Sequence, residues 1–278
     1  MKLNIDCKER IEKNPVTKDW LELTKKFDHT SDYFKIYTGL IDKRNNIVAK
    51  IGPNKLEEEY AIAKKLESLK LPTFISFNCI FRCLDDFSRL NNLTKEVCKK
   101  DGESITVIIM PYMTEGRIDF WHWDRSNFDI MKNVIKHVCL TLIYSKNTLG
   151  FIHRDLHLGN VLMKKSKQTE ISYGNFGTLE VMGFLPVIMD FEKSHFIEKY
   201  DRIIYEDLVN YISLMSHQCH VKFDCNGIVK FLEKLVIEER PISVNDSNKI
   251  LDYIDKLQIR YVQSEVPPLP DWLKPQKT

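Results

Sequence analysis

Two stretches dominated by apolar, β-rich positions, FKIYTGLI (34–41) and NIVAKIG (46–52), are joined by the polar KRNN. This pattern predicts a hairpin. NKLEEEYAIAKKLESL (54–69) changes period: Ile62, Ala63, Leu66 and Leu69 recur on one helical face. SITVIIMPYM (104–113) runs apolar without a break through Val107, Ile108 and Ile109, which predicts a buried strand. The strongest helical signal is residues 127–150, where Ile130, Val134, Val138 and Leu142 repeat at i+4 and Gly150 stands at the end. A short strand NVLM (160–163) follows. Strands broken by glycine turns occupy 171–191, and beyond residue 203 the chain turns helical, with Leu208, Tyr211, Ile212 and Met215 on one face. VPPLPDWLKPQKT at the end is Pro-rich and polar. The order is therefore a sheet-rich part with one helix, then a mostly helical part, with a seam just after YMTEG (112–116).

A length of 278 residues suits two lobes or domains. The 41 basic and 39 acidic residues leave a charge of +2, so global charge gives no argument for nucleic acid or an anionic membrane. No apolar run approaches the ~18 residues that span a bilayer, and MKLNIDCKER lacks the apolar stretch of a secretory signal. The seven cysteines are scattered, with no CxxC, and read as reduced thiols of an intracellular protein, cytoplasmic or nuclear. His217, Cys219, His220 and Cys225 cluster in HQCHVKFDC, but their spacing fits no common zinc finger, and a packed helix end is the favoured reading.

Candidate chemistry begins in HRDLHLGN (153–160). Asp155 and Asn160, five residues apart with apolar segments on both sides, can line one loop, the acid accepting a proton and the amide coordinating a cation. A third oxygen ligand is available in Asp190, which directly follows Val187, Ile188 and Met189. Such an aspartate at a strand end also reads as a turn residue. Lys50 sits mid-strand in IVAKIG, where a lysine ordinarily faces solvent. Glu59, however, falls in the middle of the apolar face of the next helix, and a carboxylate there needs a partner or shifts its pKa. Lys50 is the natural partner.

Taken in order, these segments resemble the protein-kinase superfamily over roughly residues 30–216. IVAK resembles the strand whose lysine holds the α- and β-phosphates of ATP, EYAIAKKL the helix that supplies its glutamate, HRDLHLGN the catalytic loop and MDFE the DFG segment. The resemblance implies Lys50 and Glu59 as the phosphate-positioning pair. It makes Asp155 the catalytic base, Asn160 and Asp190 the Mg²⁺ ligands, and His153 a support of the loop. IIMPYM resembles the hinge, with Met110 beside the adenine and the Pro111 carbonyl and Met113 backbone bonding its edge. Asp207 resembles the aspartate that braces the catalytic loop from beneath; a helix N-cap is the competing reading. The implied fold is α+β and bilobal: an antiparallel-sheet N-lobe with one main helix (1–113), a mostly helical C-lobe (114–265) and a Pro-rich tail (266–278).

Departures narrow the branch. His157 replaces the usual lysine two residues after the aspartate, which resembles haspin-type kinases and kinase-like proteins of large DNA viruses. The aminoglycoside phosphotransferases carry a similar loop. Glu192 replaces the DFG glycine, sixteen residues separate Asp190 from Asp207, and no APE-like segment appears. The segment KKFDHTSDY (25–33) has no glycine to cradle phosphates; Thr30 and Ser31 offer hydroxyls, while Asp28 and Asp32 repel anions. The expected function is transfer of the γ-phosphoryl group of ATP, with Mg²⁺, to a serine or threonine hydroxyl of a protein substrate. A small-molecule phosphotransferase and a catalytically weak pseudokinase used as an interaction module compete with it. Trp121 and Trp123 read as core, and Lys164, Lys165 and Lys167 as a solvated strand end.

Overall fold

The structure is a computed structural model that describes residues 21–27, 34–53, 55–83, 105–197, 203–218, 221–238 and 240–262. Thr30, Ser31, Asp28 and Asp32, together with Cys219, His220 and the 266–278 tail, lie outside the described residues. The chain divides into two compact units, Met1–Thr114 with Val187–His195, and Glu115–Pro186 with Phe196–Thr278. The architecture is α+β.

In the first unit, strands β1 (Leu21–Lys26), β2 (Lys35–Ile41), β3 (Asn45–Gly52), β4 (Cys79–Cys83) and β5 (Ile105–Pro111) form one antiparallel sheet in the order β1-β2-β3-β5-β4. Helix α1 (Lys55–Glu67) packs on β3 and β5. The register sets Lys50 between Ile36 of β2 and Ile108 of β5. Side chains alternate across a strand. Ile47, Ala49 and Ile51 therefore enter one apolar cluster with Tyr37, Val107 and Ile109, and Lys50 falls on the opposite face. All six residues from Ile105 to Met110 are buried, as the unbroken apolar run of β5 requires.

The second unit is built around α2 (Phe128–Leu149), followed by the short β6 (Phe151–Ile152). Met131, Val134, Val138 and Leu142 are fully buried, and so are the polar His137, Thr141 and Ser145, because α2 is covered on nearly every side. Gly150 ends it in a left-handed conformation at φ 74°, its N–H donating to the Lys146 carbonyl at 2.8 Å. A Cβ there would also lie 2.0 Å from the Ile197 carbonyl oxygen, so only glycine fits. β7 (Val161–Lys165), the hairpin β8 (Glu170–Ser172) and β9 (Thr178–Glu180), β10 (Phe184–Ile188) and β11 (His195–Phe196) come next. α3 (Ile203–Gln218), β12 (Val221–Phe223), α4 (Asn226–Ile237), α5 (Val244–Asp255) and β13 (Ile259–Val262) complete it. A capping box opens α5: Ser243 accepts from the Asp246 N–H, and the Asp246 carboxylate accepts from the Ser243 N–H.

One sequence expectation changes here. Cys79, buried in edge strand β4, is disulfide-bonded, so the reading of all seven cysteines as free thiols fails. Spacing along a chain does not reveal a pairing made by the fold. Cys139 and Cys225 are free and buried. Among the described residues no group of three or more His, Cys, Asp or Glu side chains is placed to hold a metal ion, and His217 bonds to Ser213 and Ser216. Trp123 is buried and stacks on Trp121 at 5.3 Å, in keeping with a core role. No helix among the described residues is long and apolar enough to cross a membrane.

His137 ties the β8–β9 hairpin to α2. Its Nε2 lies 3.0 Å from the Glu180 carbonyl oxygen, which can only accept, so Nε2 carries the proton and Nδ1 accepts from the Tyr173 hydroxyl at 2.8 Å. Burial depresses its pKa from 6.5 to about 4. The unfolded chain therefore binds the extra proton first as pH falls. His137 contributes stability that is fully present above pH 6.5 and lost as pH drops toward about 4. The expected loss is about 3 kcal/mol. Urea unfolding of wild type and His137→Gln across this range should show the wild-type advantage shrinking with acidity; a constant gap contradicts the assignment.

Candidate functional site

Three elements of the first unit converge on Lys50. Its Nζ donates to Glu59 Oε2 of α1 at 2.7 Å and to Asp190 Oδ1, just past β10, at 2.8 Å. It also lies 4.7 Å above the centre of the Phe34 ring. The Phe191 N–H donates to the other Glu59 oxygen at 3.3 Å. The Phe191 ring packs edge-on against Phe74 and tilted against Phe77, so the segment after β10 is held by both backbone and ring.

Burial alone would lower the Lys50 pKa, but the Glu59 and Asp190 carboxylates outweigh it and the ammonium is held above its ordinary value. Burial raises the Glu59 pKa, and Lys50 only partly offsets that because Asp190 repels the same charge. Two carboxylates share one cation, which leaves one excess negative charge. Asp190 is the open member: its side chain is 35% exposed, Lys50 takes Oδ1, and its backbone is left-handed at φ 65°. Non-glycine residues adopt that conformation at a cost of about 1 kcal/mol or more. Glu192 pairs with Lys55 at 2.8 Å.

The HRDLHLGN loop belongs to the second unit. Asp207 lies inside α3 rather than at its N-cap. Its carboxylate accepts from the N–H groups of His153 at 3.2 Å, Arg154 at 3.0 Å and Leu156 at 3.4 Å. Burial raises its pKa, opposed by His153 and these donors. His153 is fully buried, edge-on to Phe151. Arg154 turns the chain at φ 66°. Asn160 Nδ2 donates to the Asp155 carbonyl at 3.0 Å, which leaves Oδ1 as the acceptor atom of that amide.

Sequence reasoning missed a pair of supports in this loop. His157 Nδ1 accepts from the Gly159 N–H at 3.1 Å and so caps its own turn. Arg117 Nη2 lies so close to Gly159 that a Cβ there would be 2.9 Å away. Arg117 is oriented by an ion pair with Asp119, and its backbone bridges Leu162. Met110 is buried at the end of β5, Pro111 pairs with Ile47, and the Tyr112 N–H donates to the Asn46 carbonyl. Met113 is half-buried. Lys165 pairs with Glu115 at 3.4 Å, and partial burial lowers the Lys164 pKa.

No protein-family model matches the chain, and no curated protein matches it.

Two variants test the geometry without any assay of activity. Lys50→Met leaves Glu59 and Asp190 facing each other without a cation, so Glu59 holds its proton to higher pH. A carboxyl with a raised folded pKa costs stability as pH rises. The melting temperature of this variant should therefore fall from about pH 5 to about pH 8 more steeply than that of wild type. Parallel curves would refute the charge balance described here. Asp207→Ala leaves three loop N–H donors without their acceptor and should cost about 3 kcal/mol in urea unfolding; Asp207→Asn, which keeps one acceptor oxygen, should cost less.

Proposed function

We propose that this protein is an ATP-dependent phosphotransferase that moves the γ-phosphoryl group to a protein hydroxyl. The observation that carries the reading is the buried Lys50 ammonium held between Glu59 and Asp190. Burying the Lys50–Glu59 pair is costly, and an internal ion pair for stability alone needs only one acid. A third charge, partly exposed and in a strained backbone, suits a group that changes partners.

In this reading Lys50 exchanges Asp190 for phosphate oxygens of the nucleotide while Glu59 keeps it aimed. Asp190, once released, has both oxygens for a divalent cation, and Asn160 offers Oδ1. The donor set is all oxygen and the Lys50 cluster already carries excess negative charge, which fits Mg²⁺. Bound Mg²⁺ would offset charge on the phosphates. Asp155 orients the acceptor hydroxyl and takes its proton, and Asp207 with His153 keeps that loop in shape. Met110, the Pro111 carbonyl and the Met113 backbone serve the adenine. The chemistry is chiefly positioning and electrostatics.

A small-molecule acceptor is the second reading. The short span from Asp190 to Asp207 favours it, because it leaves little chain for the segment on which protein substrates are usually aligned. One experiment separates the two. The purified protein is incubated with Mg·ATP and a generic basic protein, and intact masses are recorded, with Asp155→Asn as control. The expected result is phosphate on the protein substrate, reduced about 10²-fold or more in the control and abolished in Asp190→Ala with its fold intact. ATP consumption only with hydroxyl metabolites would select the second reading, and no transfer to any acceptor would overturn both.

A further inference from the structure

We propose that the groove between α3 and α4 docks a basic segment of a partner protein that also carries an apolar side chain. The groove encloses about 400 Å³. Its floor and walls are Tyr205, Val209 and Val236, and Glu206, Asn210 and Glu233 supply its polar groups. On α3 the lining residues fall at i and i+4, and on α4 at i and i+3, so each helix presents one face to the same hollow. The next residue on the α4 face, Ile237, is 81% exposed, the most exposed large apolar side chain among the described residues.

Charge complementarity selects the occupant. Glu233 takes part in no ion pair among the described residues, whereas Glu238 on the same helix pairs with both Lys234 and Arg240. Glu206 adds a second carboxylate across the groove. The groove also reaches the last turn of α4, where the helix dipole favours a cation. A volume of this size admits one or two side chains rather than a folded element. An arginine or lysine fits it by laying its stem on Val209 and Val236 and its charged head between the carboxylates. An apolar neighbour in the same segment then covers Ile237. This inference does not rest on phosphoryl transfer, since docking needs neither nucleotide nor metal.

The test is fluorescence anisotropy of a labelled synthetic peptide of alternating arginine and leucine, with the full-length protein and no nucleotide. Saturable binding is expected, weakening as salt rises. It should weaken by about tenfold or more in Glu233→Lys and in Ile237→Asp, both exposed positions whose melting temperatures should stay close to wild type. A peptide with glutamate in place of arginine should not bind. Equal affinity in both variants, absence of saturable binding, or equal binding of the acidic peptide overturns the proposal. So does self-association in sedimentation velocity that Ile237→Asp abolishes, which would make the groove a contact between copies of the chain. A gain in peptide affinity when Lys274 and Lys277 are changed to glutamate would also overturn it, by assigning the groove to the chain's own C-terminal segment.

Discussion

The first unit depends on one buried cation. Lys50 could not remain charged on the helix-covered face of β3 without an acid, and Glu59 could not sit on the apolar face of α1 without a base. Each removes the other's desolvation cost only at contact distance, here 2.7 Å. That requirement fixes the rotation of α1 on the sheet. It also recruits a segment 140 residues further on, because Asp190 takes a second position on the same ammonium. The Phe191 N–H on Glu59 then locks the returning chain beside the strand and helix it completes. Sheet, helix and return segment are thereby tied through a single nitrogen.

Asp207 is a useful contrast. It too is a buried carboxylate, yet among the described residues it makes no ion pair with a lysine or arginine; three backbone N–H groups of one loop take its oxygens. These bonds shape the loop that holds Asp155 and Asn160. Around Lys50 the count is different, with two acids for one base and the outer acid reaching solvent. Equal chemistry in unequal stoichiometry separates a carboxylate that shapes a loop from one that shares a cation and reaches solvent.

Much of this was legible in the sequence, for identifiable reasons. The helices α1 and α2 were read correctly because each carries a helical period, β5 because its apolar run is unbroken, and the β2–β3 hairpin because two β-rich stretches flank a polar turn. The Lys50–Glu59 pair was legible because an acid on an apolar stripe demands a base. β1 was missed because only Leu21 and Leu23 alternate before the segment turns polar. β4 is short and its apolar signal is interrupted by Arg82. α4 and α5 did leave signals: Ile228, Leu232 and Leu235 recur at helical spacing, and Ser243 with Asp246 forms a capping box. The Lys50–Asp190 contact had no local trace, since only the folded chain brings those positions together. The Cys79 disulfide was invisible for the same reason.

His157 shows how a departure from an expected pattern carries its own compensation. The catalytic loop that this segment resembles has lysine at that position, and an ammonium can only donate. An imidazole can accept, and His157 Nδ1 does so from the Gly159 N–H. The turn leading into Asn160 is thereby closed by the His157 side chain. The same turn must stay free of a Cβ at Gly159, where both the His157 ring and Arg117 Nη2 would stand 2.9 Å away. Histidine, glycine and arginine are therefore one solution, not three independent choices. Replacing His157 by lysine would restore the common motif in sequence while removing the acceptor on which this loop's geometry is built.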